Sequence, residues 1–500
     1  MMHCRTQHRR LVAWSLLGAL CLLGAATPAL GQSLTNRLQG LVRSSPLGAS
    51  KVGVAILDPQ SGEVLASHNA GDPFIPASNM KVLTSGAALA VLGPSFSFRT
   101  DLVHQPQAGN RIVVRGSGDP AFGDPDLLAP MKMSVEDLLG VWVQAVKTAS
   151  PSPPVELVID DRIFDRELVH PSWPAAQLNR RYCAEVAGLN FHVNTLAIYA
   201  RPGSPGSAPT LSVSPRAPWV EVRNRARSID KGQQTAWVAR ALDSNSMTFN
   251  GDVRYANDPV RVSLHNSPDF FARLLADRLG AAGLRPGVAR LVEPMEDLSG
   301  GTVLHTVVTD LPTVLDRCNK DSYNLYAECL IKRIGSEVTG AAGSWRSGGT
   351  VLRMVVNERL GEGAARDLVV ADGSGMSREN RVTPLLLVRW LASLYNDAPL
   401  RDVFMRSLPL GGSEGTLDDR FKTNRITNEV RGKSGYLSGV TGLTGYITHR
   451  ETGRTLVFSI LVNDKPNNVA TRTVRDFEEK VVQLADQWLN DRAGTGSGRR

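Results

Sequence analysis

The sequence predicts an α+β fold: one antiparallel sheet assembled from both ends of the chain and flanked by helices, with a large second α+β unit inserted between those ends. Three observations predict it. Strand-like runs lie near the start of the chain, at 52–57 and 63–66, and again near its end, at 440–448 and 455–462. Helix-periodic runs bracket them, at 33–43 and in a final stripe of Val474, Phe477, Val481, Leu484, Ala485 and Trp488. Finally, three short polar motifs that read as one set are unequally spaced, 244 positions between the first and second but 111 between the second and third. So long an interval implies an insertion.

Taken in order, residues 1–31 read as a secretory signal peptide. Arg5, Arg9 and Arg10 precede an apolar stretch at 11–26, and Ala29-Leu30-Gly31 is a small-residue cleavage site before Gln32. Leu20 is too large for a lipid-anchoring signal at Cys21, so the leader is expected to be cleaved and the mature chain periplasmic or otherwise extracytoplasmic. No other segment reaches the roughly 18 apolar residues of a membrane span, so membrane association is expected to be at most peripheral. Losing the leader lowers the net charge from +8 to +5. That mild, dispersed basicity makes no case for a nucleic-acid partner.

Cleavage leaves Cys183, Cys318 and Cys329, an odd number that argues against a disulfide framework. Cys318 and Cys329 are expected on one helix, about 16 Å apart, too far to bridge. Buried free thiols are the expectation.

The two early strands join across Asp58-Pro59-Gln60-Ser61-Gly62, and the two late ones across 450–454, as hairpins. Residues 32–97 and 303–492 are expected to form one split domain, and 98–302 the insertion, with strands at 111–114, 155–159, 196–200 and 260–264 and helices at 135–146 and 268–279. The Pro/Gly/Ser-rich segment 201–218 marks loops or a nested third module spanning about 165–240. A flexible tail is expected at 493–500.

The first motif, Ser78-Asn79-Met80-Lys81, follows Pro76 and opens an apolar run, Val82 to Leu92, that reads as a buried helix ending near Gly93-Pro94. The others are Ser322-Tyr323-Asn324 and Lys433-Ser434-Gly435. Two chance matches fail on context. Ser228-Ile229-Asp230-Lys231 lies in a polar, Arg-rich stretch read as a solvated loop, and Ser67-His68-Asn69 precedes Ser78 in a turn, out of order.

Serine and lysine three positions apart on a helix share a face, so Lys81 can bond the Ser78 hydroxyl and act as its base. The free N–H of Ser78 at the helix start can stabilise an oxyanion. Lys81 needs its pKa lowered by about three units, roughly 4 kcal/mol, to serve near pH 7; burial and a second cation, for which Lys433 is the candidate, would lower it. Ser322 can relay a proton to a leaving amine, and Asn324 can bond a substrate amide. Lys433 and the Ser434 hydroxyl suit a substrate carboxylate, and Gly435 lets a substrate backbone approach.

Together the motifs resemble those of penicillin-binding proteins, specifically the low-molecular-mass D-alanyl-D-alanine carboxypeptidase/endopeptidase group, in which extra domains separate the first two motifs. Gly116-Ser117-Gly118-Asp119-Pro120, the segment from Asp372 to Arg378 and Gly415-Thr416-Leu417 are similar to segments of that family. The resemblance implies the penicillin-binding-protein/β-lactamase-like transpeptidase fold. It implies attack by Ser78 on the bond between the terminal D-alanines of peptidoglycan stem peptides, endopeptidase cleavage of cross-links, and covalent inhibition by β-lactam antibiotics. It further implies an oxyanion hole of the Ser78 and Tyr436 N–H groups, with no metal or other cofactor. Ser434 stands where threonine is usual, and Ser117 where glycine is. Arg378 and Asp160 are candidates for the charged ends of a diaminopimelate side chain or for salt bridges. A β-lactamase would need a deacylating carboxylate, and Glu185, before Leu189-Asn190, has the wrong spacing for it. An esterase of the same fold would not require the Lys-Ser-Gly carboxylate site, and a non-catalytic scaffold would require damaged motifs.

Overall fold

The computed structural model describes residues 27–149, 151, 154–256, 258–424 and 426–496. Residues 1–26 of the expected signal peptide lie outside them. The predicted sheet of both chain ends has five antiparallel strands in the order Glu429–Leu437, Val440–Thr448, Thr455–Asn463, Lys51–Leu57, Val64–His68. Thr455–Asn463 is the seam. It sets Phe458 against Ile56 on one side and Ile460 against Leu443 on the other. Its residues are buried on both faces, which is why it reads as a continuous apolar run instead of an alternating one.

One face of this sheet is covered by the end helices Thr27–Ser44 and Thr471–Gly496. Leu34, Leu38, Val474, Phe477, Val481, Ala485 and Trp488 share a core there with Val54, Ile56, Phe458 and Ile460. The last helix continues to Gly496, so the segment expected to be a tail from 493 begins as helix. The other face carries Met80–Leu92, Leu311–Asn319, Asn324–Thr339, Trp345–Leu360 and Pro384–Tyr395 around the fully buried Trp390 and Tyr326. Met80–Leu92 is central. Every residue from Met80 to Leu89 is buried, Lys81, Thr84 and Ser85 included, so its apolar residues run all round it and show no amphipathic stripe. It ends at Gly93 (φ 81°), whose N–H returns to Leu89 O at 3.1 Å.

The stretch between the first two motifs builds a second five-stranded sheet, in the order Pro286–Leu291, Val155–Asp160, Arg111–Arg115, Ser97–Gln105, Thr302–Asp310. Its outgoing and returning strands are antiparallel neighbours, with Ser97 opposite Asp310. The chain therefore leaves and re-enters the helical body at one place, and Asp310 at once caps Leu311–Asn319 by accepting the Thr313 N–H at 2.8 Å. Helices Val135–Ala149 and Ser267–Ala281 pack on this sheet through Trp142 and Phe271, which meet Phe122. Within 201–218 one strand, Thr210–Ser214, extends a small sheet with Thr195–Arg201 and Val260–Ser263. Ser228 is not in a solvated loop; it is buried in the two-residue strand Arg227–Ser228, accepting the Gly203 N–H at 2.9 Å. A strand that short leaves no periodicity to read.

One part of this stretch packs elsewhere. Phe164, Trp173, Cys183, Val186 and Val193 join the helical core around Trp390, and the Asp165 N–H donates to Gly343 O at 2.9 Å. Cys318 and Cys329 also depart from expectation, since they lie on separate helices. Ser322, at φ +58°, breaks the chain between Leu311–Asn319 and Asn324–Thr339, a conformation that cannot continue a right-handed helix. Cys183, Cys318 and Cys329 are buried free thiols. Among the described residues no helix is long and apolar enough to cross a membrane.

Candidate active site

Pro76 and Ala77 set the turn that carries Ser78. Ala77 adopts φ +47°, and Pro76 O accepts both the backbone N–H and the carboxamide of Asn79 at 3.1 Å. One 3-10 turn, Ala77–Asn79, then runs directly into Met80–Leu92, placing Lys81 beside Ser78. The Lys81 ammonium donates to Ser78 Oγ at 3.1 Å, to Asn324 Oδ1 at 2.8 Å and to Ser374 O at 2.9 Å. Its side chain is fully buried. Burial pushes its pKa down to about 8, against the opposing pull of Cys318, Glu328 and Asp372.

Lys433 is buried too, and burial together with the charge of Lys81 holds its pKa well below the usual lysine value. Its ammonium donates to Ser434 O at 2.8 Å. The motif Lys433-Ser434-Gly435 lies inside the edge strand Glu429–Leu437, in register with Val440–Thr448. Gly435 pairs with Gly442 across that ladder. A Cβ on Gly435 would stand 2.6 Å from Asn79 Nδ2, 2.9 Å from Pro76 O and 3.1 Å from Ser78 N, and one on Gly442 would also stand 2.6 Å from Asn79 Nδ2. The two facing glycines make room for Asn79 and draw the strand against the serine turn. At Gly435 the strand and the serine turn thus approach one another closely.

Ser322 projects from the break between two helices, and Asn324 opens the second. The Asn324 carboxamide joins three elements: its oxygen accepts from Lys81, and its Nδ2 donates to Tyr182 O at 2.8 Å. Arg317 holds this break in place, bonding Asp124 at 2.9 Å, Asp126 at 2.8 Å and Asp321 at 2.6 Å, with its guanidinium 4.7 Å from the Tyr323 ring.

Ser78, Ser322, Asn324 and Tyr436 open onto a cavity of about 460 Å³, also walled by Arg378 and by Gln177 and Tyr182 from the insertion. Arg378 is tethered there through a bond to Ser438 O at 3.0 Å. Asp160 is not brought to the cavity. It ends a strand of the second sheet, and Arg162 grips both its oxygens at 2.8 and 2.9 Å, so the salt-bridge alternative describes it. Glu185 is likewise elsewhere, accepting the Ser267 N–H at 3.1 Å and facing His265 at 3.2 Å. Among the described residues no group of His, Cys, Asp or Glu is arranged to hold a metal ion.

Sequence reasoning missed Glu328, Tyr182, Gln177 and Arg317. Glu328 had a signal: a carboxylate four residues after Asn324, on a helix otherwise apolar at Leu325, Ala327, Leu330 and Ile331. It is fully buried. Asp372 is buried as well, and its carboxylate folds its own loop by accepting from the N–H groups of Gly375 at 2.8 Å and Ser377 at 2.6 Å and from the Trp173 indole at 2.9 Å. Gly375, at φ +83°, lies against the Ala77 carbonyl, where a Cβ would overlap it.

With this geometry established, comparison with known proteins gives three concordant results. Residues 34–488 match the model of the D-Ala-D-Ala carboxypeptidase 3 (S13) family. The chain is 29% identical over 486 residues to a D-alanyl-D-alanine carboxypeptidase of Actinomadura sp. (strain R39), covering 93% of this chain and 87% of that one. Its fold is similar to that of penicillin binding protein 4 from Haemophilus influenzae, with TM-score 0.70 at 21% identity, covering 89% and 98% of the two chains. A second structure of that protein, complexed with a β-lactam, gives TM-score 0.66, also at 21% identity, covering 90% and 99%.

Proposed function

The chain belongs to the D-Ala-D-Ala carboxypeptidase 3 (S13) family and is a serine-type D-Ala-D-Ala carboxypeptidase, and we propose that Ser78 is its nucleophile and Lys81 its base. The observation that carries this assignment is the 3.1 Å contact between Lys81 Nζ and Ser78 Oγ, made by a fully buried lysine whose pKa has fallen to about 8. Near neutral pH a useful share of Lys81 is unprotonated and can take the Ser78 proton as Oγ attacks the carbonyl between two D-alanines. The backbone N–H groups of Ser78 and Tyr436 receive the oxyanion; the tight packing of Gly435 on the serine turn supports that pairing. As the tetrahedral adduct collapses, the proton passes through Ser322 to the leaving amine of D-alanine. Water then attacks the acyl-enzyme, Ser78 departs, and the shortened stem peptide is released.

The carboxylate of the terminal D-alanine meets Lys433 and the Ser434 hydroxyl on the edge strand, and Asn324 bonds an amide of the acyl side. The same chemistry cleaves D-alanyl-diaminopimelate cross-links, whose scissile bond also follows a D-alanine. Arg378, on the cavity wall, is suited to a carboxylate of the stem peptide, whereas Asp160 takes no part. β-Lactams acylate Ser78, in keeping with the β-lactam complex of the Haemophilus protein. An extracytoplasmic location follows from a cell-wall substrate.

The test is to incubate purified protein with pentapeptide muropeptides and with cross-linked dimers, and to follow D-alanine release and monomer formation by liquid chromatography. Both products are expected from wild type and neither from Ser78→Ala. D-Alanine release that survives Ser78→Ala would refute the assignment.

A further inference from the structure

The loop that receives Lys81 is itself gripped by a carboxylate that no motif contains. Glu328 is fully buried on Asn324–Thr339, one turn beyond Asn324. Its Oε2 accepts the Gly373 N–H at 2.9 Å and the Trp345 indole N–H at 2.7 Å, and its Oε1 accepts the Ser374 N–H at 2.8 Å. All three partners are donors, which suits an ionised carboxylate and not an amide; burial and the neighbouring Asp372 push its pKa up to about 7, which leaves it ionised where Lys81 loses its proton near pH 8.

The opposite side of the same loop faces the serine helix. Gly373 O accepts the Thr84 hydroxyl at 2.7 Å, and Ser374 O accepts the Lys81 ammonium at 2.9 Å. The peptide group between residues 373 and 374 is thus clamped between Glu328 and Thr84. The next peptide group is held between Asp372, which takes the Gly375 N–H at 2.8 Å, and Lys81. Moving Glu328 would move the carbonyl that aims Lys81 at Ser78.

We infer that Glu328 is a positioning residue for Lys81: acting through the Gly373–Ser374 backbone, it fixes the lysine against Ser78 and contributes a negative charge that sets how readily the lysine gives up its proton. This rests on Ser78 and Lys81 being the acylating pair. The groups that face Lys81 are Cys318 from Leu311–Asn319, Asn324 and Glu328 from Asn324–Thr339, Asp372 and Ser374 from the loop, and Lys433 from the edge strand. Glu328 itself has Asp372, Trp345 and Lys332 about it. Of these, Glu328 alone contacts the loop backbone from a helix while remaining outside the substrate cavity.

The test measures the second-order rate of Ser78 acylation by benzylpenicillin from pH 5.5 to 10 for wild type, Glu328→Gln and Glu328→Asp. Glu328→Gln points an N–H₂ group at a donor and removes a charge that favours protonated Lys81. Its plateau rate should fall by about tenfold or more. Its rising acid limb should move to lower pH by about 0.5 unit or more, because an ammonium that loses an anion deprotonates more easily. Glu328→Asp keeps the charge but shortens the reach; its limb should stay with wild type while its rate drops. Damage to folding alone would lower the rate in Glu328→Gln without moving the limb, and that result overturns the inference, as does a wild-type rate in either variant. If Glu328→Gln does not fold, Glu328→Asp decides by rate and thermal unfolding together: a slower rate in a variant as stable as wild type supports the inference, and a wild-type rate, or a slower rate that comes with lowered stability, overturns it. Absence of any wild-type adduct on Ser78 overturns the acylating pair and this inference together, whereas a wild-type adduct with unaltered variants overturns only the role of Glu328.

Discussion

Gly435→Ala isolates what holds the edge strand to the serine turn. The added Cβ would meet Asn79 Nδ2 at 2.6 Å, Pro76 O at 2.9 Å and Ser78 N at 3.1 Å. All three belong to one turn, so no single side-chain rotation relieves them. Restoring ordinary contact near 3.5 Å requires the strand and the turn to separate by about 0.5–1 Å. Overpacking of this kind costs about 1–3 kcal/mol of stability, and a 1 Å misplacement at a reacting group costs on the order of 100-fold in rate. The expected variant therefore folds, unfolds at lower denaturant by that amount, and is acylated by benzylpenicillin about 100-fold more slowly. Urea unfolding and stopped-flow acylation measure the two effects. A glycine kept for substrate approach would instead weaken saturation binding and leave the maximal acylation rate intact. That outcome, or a variant within threefold of wild type, would refute the packing argument.

The lowered pKa of Lys81 has a signed consequence for rate: for a value of about 8, the neutral fraction rises from about 10% at pH 7 to about 90% at pH 9, so acylation should climb about tenfold and then level. A climb continuing towards pH 10.5 would contradict it. The same shift bears on stability. The unfolded chain binds the extra proton between pH 8 and 10.5, so this group lets stability rise with pH across that window and opposes folding by about 3 kcal/mol below it. Lys81→Met should accordingly unfold at pH 7 no more easily than wild type despite three lost hydrogen bonds, while forming no adduct; a loss beyond about 2 kcal/mol in urea unfolding would count against this. Arg317→Ala leaves Asp124 fully buried without its cation and should cost about 3–5 kcal/mol, read by thermal unfolding.

The parts most legible in the sequence were those with a strong local pattern. The hairpins at both chain ends, the apolar helix after Ser78 and the terminal stripe around Trp488 all announce themselves through hydrophobic runs bounded by Gly and Pro. Lys81 could be named because its spacing from Ser78 encodes one turn of helix, and Ser322 and Asn324 because they complete an ordered set of motifs with Ser78–Lys81 and Lys433–Gly435. What stayed hidden depends on contacts between distant segments. Tyr182 reaches the site because the stretch around Phe164 and Trp173 packs on the helical core, and Asp160 misses it because it ends a strand of the second sheet, where Arg162 pairs with it. Glu328 carried a signal, a charge inside an apolar helix face, but its partners Gly373 and Ser374 are 45 and 46 positions distant. The single helix expected for Cys318 and Cys329 failed because nothing in the composition of residues 318–329 signals a left-handed serine at 322.

The central claim is that Ser78 is the acylated residue, and intact-protein mass spectrometry after exposure to benzylpenicillin tests it most directly. Wild type should gain one penicilloyl group, mapped by peptide digestion to the segment containing Ser78, and Ser78→Ala should gain none. An adduct on any other residue, or drug hydrolysis by wild type without an adduct, would contradict the account.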